Sequence, residues 1–109
     1  MSDKQVIKAM RDRLDSIEPN IKAYLFGSRA RGDARNDPDP DKRSDWDVLI
    51  LLDKPKVTLA DYSKYSYPLT ELGWDLNEMI NPVLFSVKEW NENHFTLFHH
   101  NVEADAISI

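Results

Sequence analysis

Asp45 and Asp47 stand two residues apart at the head of an apolar run, Val48-Leu49-Ile50-Leu51-Leu52. In an extended chain, residues i and i+2 point to the same side, with Cα atoms roughly 6–7 Å apart. Two carboxylates that project together offer hard oxygen donors to one or two cations such as Mg2+. Upstream lies a second segment, Gly27-Ser28-Arg29-Ala30-Arg31-Gly32. A glycine lets backbone N–H groups approach a phosphate closely, and a serine adds its own N–H and hydroxyl. Arg29 and Arg31 carry the planar fork that suits phosphate oxygens. Together the two segments point to metal-assisted phosphoryl chemistry on a nucleotide. Each part also has a plainer reading: a turn glycine, an N-cap serine, surface arginines, solvated acids at a strand entrance. The joint occurrence of the segments favours the chemical one.

The elements that must position these residues follow from periodicity. Val6, Ile7, Met10, Leu14 and Ile17 recur near a 3.6-residue period, which predicts a helix over 3–18, capped by Ser2 and stopped at Pro19-Asn20. Its expected role is to cover a sheet. A β-branched and aromatic run predicts a strand over 21–27 that delivers Gly27-Ser28 at its C-terminal end, with a short helical turn over 28–31 whose free N–H groups face an anion. Residues 32–44 hold two prolines and several aspartates and read as a loop. Asp37, Asp39 and Asp41 alternate as in a calcium loop, but the glycine and terminal glutamate of such a loop are missing, so a solvated surface loop is expected.

The unbroken apolar run predicts a central strand over 45–53, buried on both faces. Thr58, with Asp61 three places on, predicts the start of a second helix over 58–74 carrying Leu59, Tyr62, Tyr65, Leu69, Leu72 and Trp74, kinked or broken at Pro68 and ended with the help of Gly73. A third strand over 79–87 contains Pro82, which lacks a ladder donor and so demands an edge or a bulge. Residues 88–105 read as helical, in two pieces, with Trp90, Phe95, Leu97, Phe98 and Val102 packing down. Trp46, between the two aspartates, must face the opposite way, into packing. The expected fold is α/β (α+β): a small mixed sheet packed with helices, in one domain over 1–109.

Composition narrows the function further. A chain of 109 residues supports one small core, and a net charge of −5 argues against direct binding to duplex nucleic acid, which rests on many Lys and Arg neutralising phosphates. Without cysteine there is no disulfide, thiolate chemistry or Cys-based zinc site. A polar N-terminus and no membrane-length apolar run lead to the expectation of an untargeted, cytoplasmic protein without a membrane partner. His99 and His100 are adjacent and cannot face one ligand site from a helix. With His94 they read as surface or partly buried residues.

The combination Phe26-Gly-Ser-Arg-Ala-Arg-Gly-Asp followed by Ser44-Asp-Trp-Asp-Val-Leu-Ile-Leu resembles the minimal nucleotidyltransferases of the DNA polymerase β-like superfamily, over most of the chain. The family pattern is a strand ending in Gly-Ser, a loop, then Asp-x-Asp on the next strand. The resemblance implies that Gly27 and Ser28 hold the β- and γ-phosphates of a nucleoside triphosphate, with Arg29 and Arg31 placed to meet the same charge. It implies that Asp45 and Asp47 ligate Mg2+ and are the catalytic carboxylates. The implied reaction is attack of a hydroxyl on the α-phosphorus of ATP or another NTP, with pyrophosphate leaving. Many small members resemble antitoxins that act beside a HEPN-domain toxin, and some adenylylate a tyrosine of that partner. The chain is too short for a substrate-recognition domain of its own, which favours a protein partner or a homo-oligomer.

Two departures from the pattern stand out. The interval between Ser28 and Asp45 is longer than usual, with the extra residues at 36–43, a surface insertion of small entropic cost. More seriously, active members usually carry a third carboxylate on a later strand, and Pro82–Val87 has none. Glu71, Asp75 and Glu78 are candidate stand-ins, each read first as a plain surface acid. The alternative expectation is therefore a weakened or inactive nucleotidyltransferase-like binding module. A third, weaker reading, an acidic metal-binding domain without nucleotide, conflicts with the Gly-Ser turn and its arginines. Tyr62, Tyr65 and Tyr67 could serve as self-modification targets, with core packing the leading role.

Overall fold

The computed structural model describes all 109 residues. Helix α1 (Asp3–Ile17) starts at Ser2, whose hydroxyl accepts from the Gln5 amide while the Gln5 side chain accepts from the Ser2 amide. This reciprocal cap satisfies two otherwise orphaned donors. The helix stops at Glu18, with Asn20 in a positive-φ turn. Strand β1 (Lys22–Phe26) then leads through Gly27 into a four-residue helix, α2 (Ser28–Arg31). The following loop holds one 3-10 turn (Pro40–Lys42) before strand β2 (Trp46–Leu52).

After β2, helix α3 (Leu59–Asp61) passes through a π-helical stretch (Tyr62–Ser66) into α4 (Tyr67–Leu76). The cap expected at Thr58 and Asp61 is present. Pro68 does not break the helix. It falls in the first turn after the π-helical stretch, where a missing N–H is absorbed by the wider hydrogen-bond spacing. Gly73 does not end the helix either. The end comes at Asn77, in the left-handed conformation. Gly73 is buried instead, and a Cβ there would stand 2.6 Å from the Glu78 carbonyl oxygen, so its bareness lets the returning chain pass close to the helix.

Strand β3 (Ile80–Ser86), helices α5 (Val87–Glu92) and α6 (Leu97–Asp105) and strand β4 (Ile107–Ser108) complete the chain. The sheet order is β3-β2-β1-β4. Strand β1 is antiparallel to β2 and to β4, while β2 and β3 run parallel. The sheet is therefore mixed and the fold α+β, as expected. Strand β3 lies at an edge, where Pro82 is tolerated. Strand β4, only two residues long, is too short to carry a periodicity and was not expected.

Strand β2 is covered on both faces. Trp46, Val48, Ile50 and Leu52 join Val6, Met10, Leu14, Leu69, Leu72 and Leu84 in the main core beneath α1 and α4. On the other face, Leu49 packs with Trp90 of α5 and Val102 of α6. Several residues expected to pack down do not. Phe95 and Leu97 lie in and just after the α5–α6 turn and are 79% and 73% exposed. Leu59, Tyr62, Tyr67 and Trp74 are also exposed, since they fall on the outer stripe of the helix whose inner stripe is Tyr65, Leu69 and Leu72. No helix is long and apolar enough to cross a membrane.

Candidate active site

Register brings the two chemical segments together. Phe26 of β1 pairs with Asp47 of β2, so the turn that follows β1 lies beside the start of β2. The contact is intimate: a Cβ built on Gly27 would stand 2.5 Å from Asp47 Oδ2. Gly27 also adopts φ +74° and ψ −157°, a conformation essentially restricted to glycine. A side chain at this position would fill the space in which Asp47 sits. From Gly27 the chain turns at once into α2. The Gly27 carbonyl accepts from the Ala30 and Arg31 amides at 3.1 and 3.0 Å. By position, the amides of Ser28 and Arg29 have no intrahelical acceptor.

Asp45 precedes β2 by one residue and is exposed, while Asp47 is partly buried. Asp47 lies on the sheet face that also carries Phe26, Leu49 and Asn81, and Asp45 is near enough for its charge to act on it. Burial, first, pushes the Asp47 carboxyl above its ordinary range, and the neighbouring Asp45 charge adds to this. A hydrogen bond from Asn81 and the charge of Arg31 oppose it. Two acids whose charges disfavour one another, beside a glycine turn, make a place where a cation is welcome.

Asn81 is the residue that the sequence reading missed. Parallel pairing of β2 and β3 sets it beside Asp47, and its Nδ2 donates to Asp47 Oδ1 at 3.2 Å. An amide of the later strand thus stands beside Asp47, one residue before the stretch Pro82–Val87 that lacks a carboxylate. The signal could have been found only through the parallel register, since Asn81 immediately precedes the segment searched. None of the candidate stand-ins replaces it. Glu71 and Asp75 lie exposed on α4. Glu78 turns to the opposite side, where Trp46 Nε1 donates to it at 3.2 Å and the Arg43 and Arg29 guanidinium groups stand 3.8 and 4.0 Å away. No group of three or more His, Cys, Asp or Glu side chains is arranged to hold a metal.

The two arginines separate sharply. Arg29 is buried, its side chain only 1% exposed. It donates to the Ser44 carbonyl at 3.0 and 3.3 Å, to the Arg35 carbonyl at 3.4 Å and to Asn36 Oδ1, and stacks 4.5 Å above the Trp46 ring. Its donors fasten the 32–45 loop to the body, so the expected phosphate contact is corrected: the guanidinium is committed inside the fold. Arg31, by contrast, is exposed and acts electrostatically on Asp47. Its Nε donates to Asp33 at 3.2 Å and its Nη1 to Asp105 of α6 at 2.8 Å.

The donor set fits Mg2+ in one respect. Mg2+ is commonly held by one or two carboxylates together with waters and substrate phosphates, not by a full protein cage. Asp45 and Asp47 supply that number, next to a turn whose amides can meet the phosphates. The arrangement can therefore bring phosphate oxygens and a cation to one end of the sheet, where β1 stops and β2 starts.

Comparison with known families agrees with this geometry. No curated protein matches the chain. The nucleotidyltransferase domain family matches over residues 4–89, a span that includes Gly27, Ser28, Asp45, Asp47 and Asn81 and stops short of α6 and β4. With most of its length matched and the turn and Asp-x-Asp of that family side by side, the chain belongs to the nucleotidyltransferase domain family.

Proposed function

We propose that this domain is a Mg2+-dependent nucleotidyltransferase that moves an NMP group, with AMP the expected one, from a nucleoside triphosphate to a hydroxyl acceptor. The observation that supports the reading is the close approach of Asp47 to the Gly27 turn, where a Cβ would stand 2.5 Å from Asp47 Oδ2. Asp45 and Asp47 would hold the Mg2+. Bound there, the ion supplies charge neutralisation and orientation of phosphate oxygens. Gly27 and Ser28 bind and orient the β- and γ-phosphates through backbone amides, and Arg31 adds positive charge. Asn81 holds Asp47 in one orientation by its hydrogen bond. The acceptor hydroxyl belongs to a protein partner of HEPN type or to a second copy, with all 109 residues acting as one cytoplasmic, antitoxin-like unit.

A second reading is favoured by Asn81. An amide in place of a further carboxylate leaves fewer anionic ligands for a second cation, which weakens catalysis and suits a module that binds nucleotide or partner without rapid turnover. Calorimetric titration with ATP, GTP, CTP and UTP, with and without Mg2+, tests both readings against Asp45→Asn/Asp47→Asn. Mg2+-dependent binding that the double variant loses supports the site, and AMP incorporation into a hydroxyl acceptor then separates enzyme from binder. A folded wild type that binds no triphosphate overturns the stand-alone nucleotide site and leaves the partner-binding module, or a site that the partner completes.

A further inference from the structure

Helix α6 ends on an acid, Asp105, in the turn where the helix dipole disfavours negative charge. No basic residue lies in that last turn. What offsets the unfavourable placement is Arg31, reached across 74 residues of sequence at 2.8 Å. The Asp105 side chain is 18% exposed. Asp33 holds the Nε of the same guanidinium, so two carboxylates surround one arginine. Of the two, Asp33 is the more exposed, at 61%.

Arg31 is the one cation of the phosphate turn that is not locked inside the fold. Yet in this arrangement it is more than neutralised, and Asp45 and Asp47 add two further negative charges nearby. We propose that Asp105 occupies, on Arg31, the place of an anionic phosphate, so that α6 is a built-in competitor of the triphosphate and sets its affinity. This rests on the reading of Gly27–Arg31 as the phosphate site. A carboxylate and a phosphate oxygen make the same charge-assisted hydrogen bond to a guanidinium, and one N–H cannot serve both fully. The competitor is supplied by the segment that the family match does not reach, since the matched span ends at residue 89.

The test is Asp105→Asn, read by the affinity for inorganic tripolyphosphate in the presence of Mg2+. The amide keeps the shape of the side chain and removes a charge that the helix end disfavours, so α6 should persist, as circular dichroism would verify. Freeing one charge-assisted hydrogen bond of Arg31 for the anion tightens binding by roughly tenfold. The same substitution in an Arg31→Gln background should give a much smaller gain, because the contested group is gone. Tighter binding in the first background and little change in the second supports the competition. Unchanged or weaker binding by Asp105→Asn, or an equal gain in both backgrounds, overturns it while leaving the phosphate site standing. Absence of tripolyphosphate binding in wild type and Asp105→Asn alike overturns the phosphate site itself, and this inference with it.

Discussion

Gly27→Ala should be disproportionately damaging for so small a change, and its cost can be worked from the backbone. The residue sits at φ +74°, ψ −157°, where a Cβ is strained by about 1–3 kcal/mol. In addition the new methyl would stand 2.5 Å from Asp47 Oδ2, so the carboxylate must retreat by roughly an ångström from its bond with Asn81 or the turn must open. Gly32→Ala provides the internal control, because Gly32 is left-handed too, with φ +86°, but has nothing within 4 Å of a Cβ. It should cost only the conformational strain, about 1–2 kcal/mol. Gly27→Ala should exceed that by about 1–2 kcal/mol, for a total near 3 kcal/mol, which at this size lowers Tm by roughly 10–20 °C. Scanning calorimetry of both variants measures the difference. Adding Asp47→Ala to Gly27→Ala should return the steric part and leave the strain. Equal losses in Gly27→Ala and Gly32→Ala, or no recovery in the double variant, would refute the claim that the turn and the carboxylate touch.

Further consequences concern charge and burial. Since burial and the Asp45 charge raise the folded-state proton affinity of Asp47, the folded protein binds protons that the unfolded chain releases between the two pKa values. Stability therefore falls as pH rises through that interval and stays lower above it. Asp47→Asn should stabilise the fold at pH 7, by less than about 1 kcal/mol because the group is partly solvated, and this advantage should fade as pH drops through the raised pKa towards the ordinary carboxylate value of about 4 and be absent below it. Mg2+ at millimolar concentration should raise the Tm of wild type and leave Asp45→Asn/Asp47→Asn unmoved, by mass action on the folded state. Arg29→Lys should destabilise by about 2–4 kcal/mol, since a single ammonium cannot reach the Ser44 and Arg35 carbonyls and also stack on Trp46, and chemical denaturation reads the loss. Tyr65→Phe should cost about 1 kcal/mol by removing the bond to Glu18 at 2.9 Å, leaving Mg2+-dependent triphosphate binding intact.

The sequence determined what is local or periodic. The caps at Ser2 and Thr58, the choice between edge and bulge that Pro82 imposes, the double-sided burial of β2 and the inward turn of Trp46 all follow from a few neighbouring residues. So does the identity of the two chemical segments, because Gly27-Ser28 and Asp-x-Asp are each short enough to be read as strings. Tertiary structure decided whatever depends on partners far apart in the chain. Arg29 and Arg31 are two residues apart and the same residue type. One is folded under the 32–45 loop onto Trp46, while the other is left on the surface beside Asp105. Helical turn geometry sends their side chains to different sides, and no local pattern tells which side is the interior. Asn81 belongs to the site only because β3 runs parallel to β2 in one register, and a shift of one residue would have sent its side chain to the opposite face. The residues that carry the chemistry are thus written in the sequence, while the groups that restrain and compete for them are chosen by the way the sheet and the last helix close over one another.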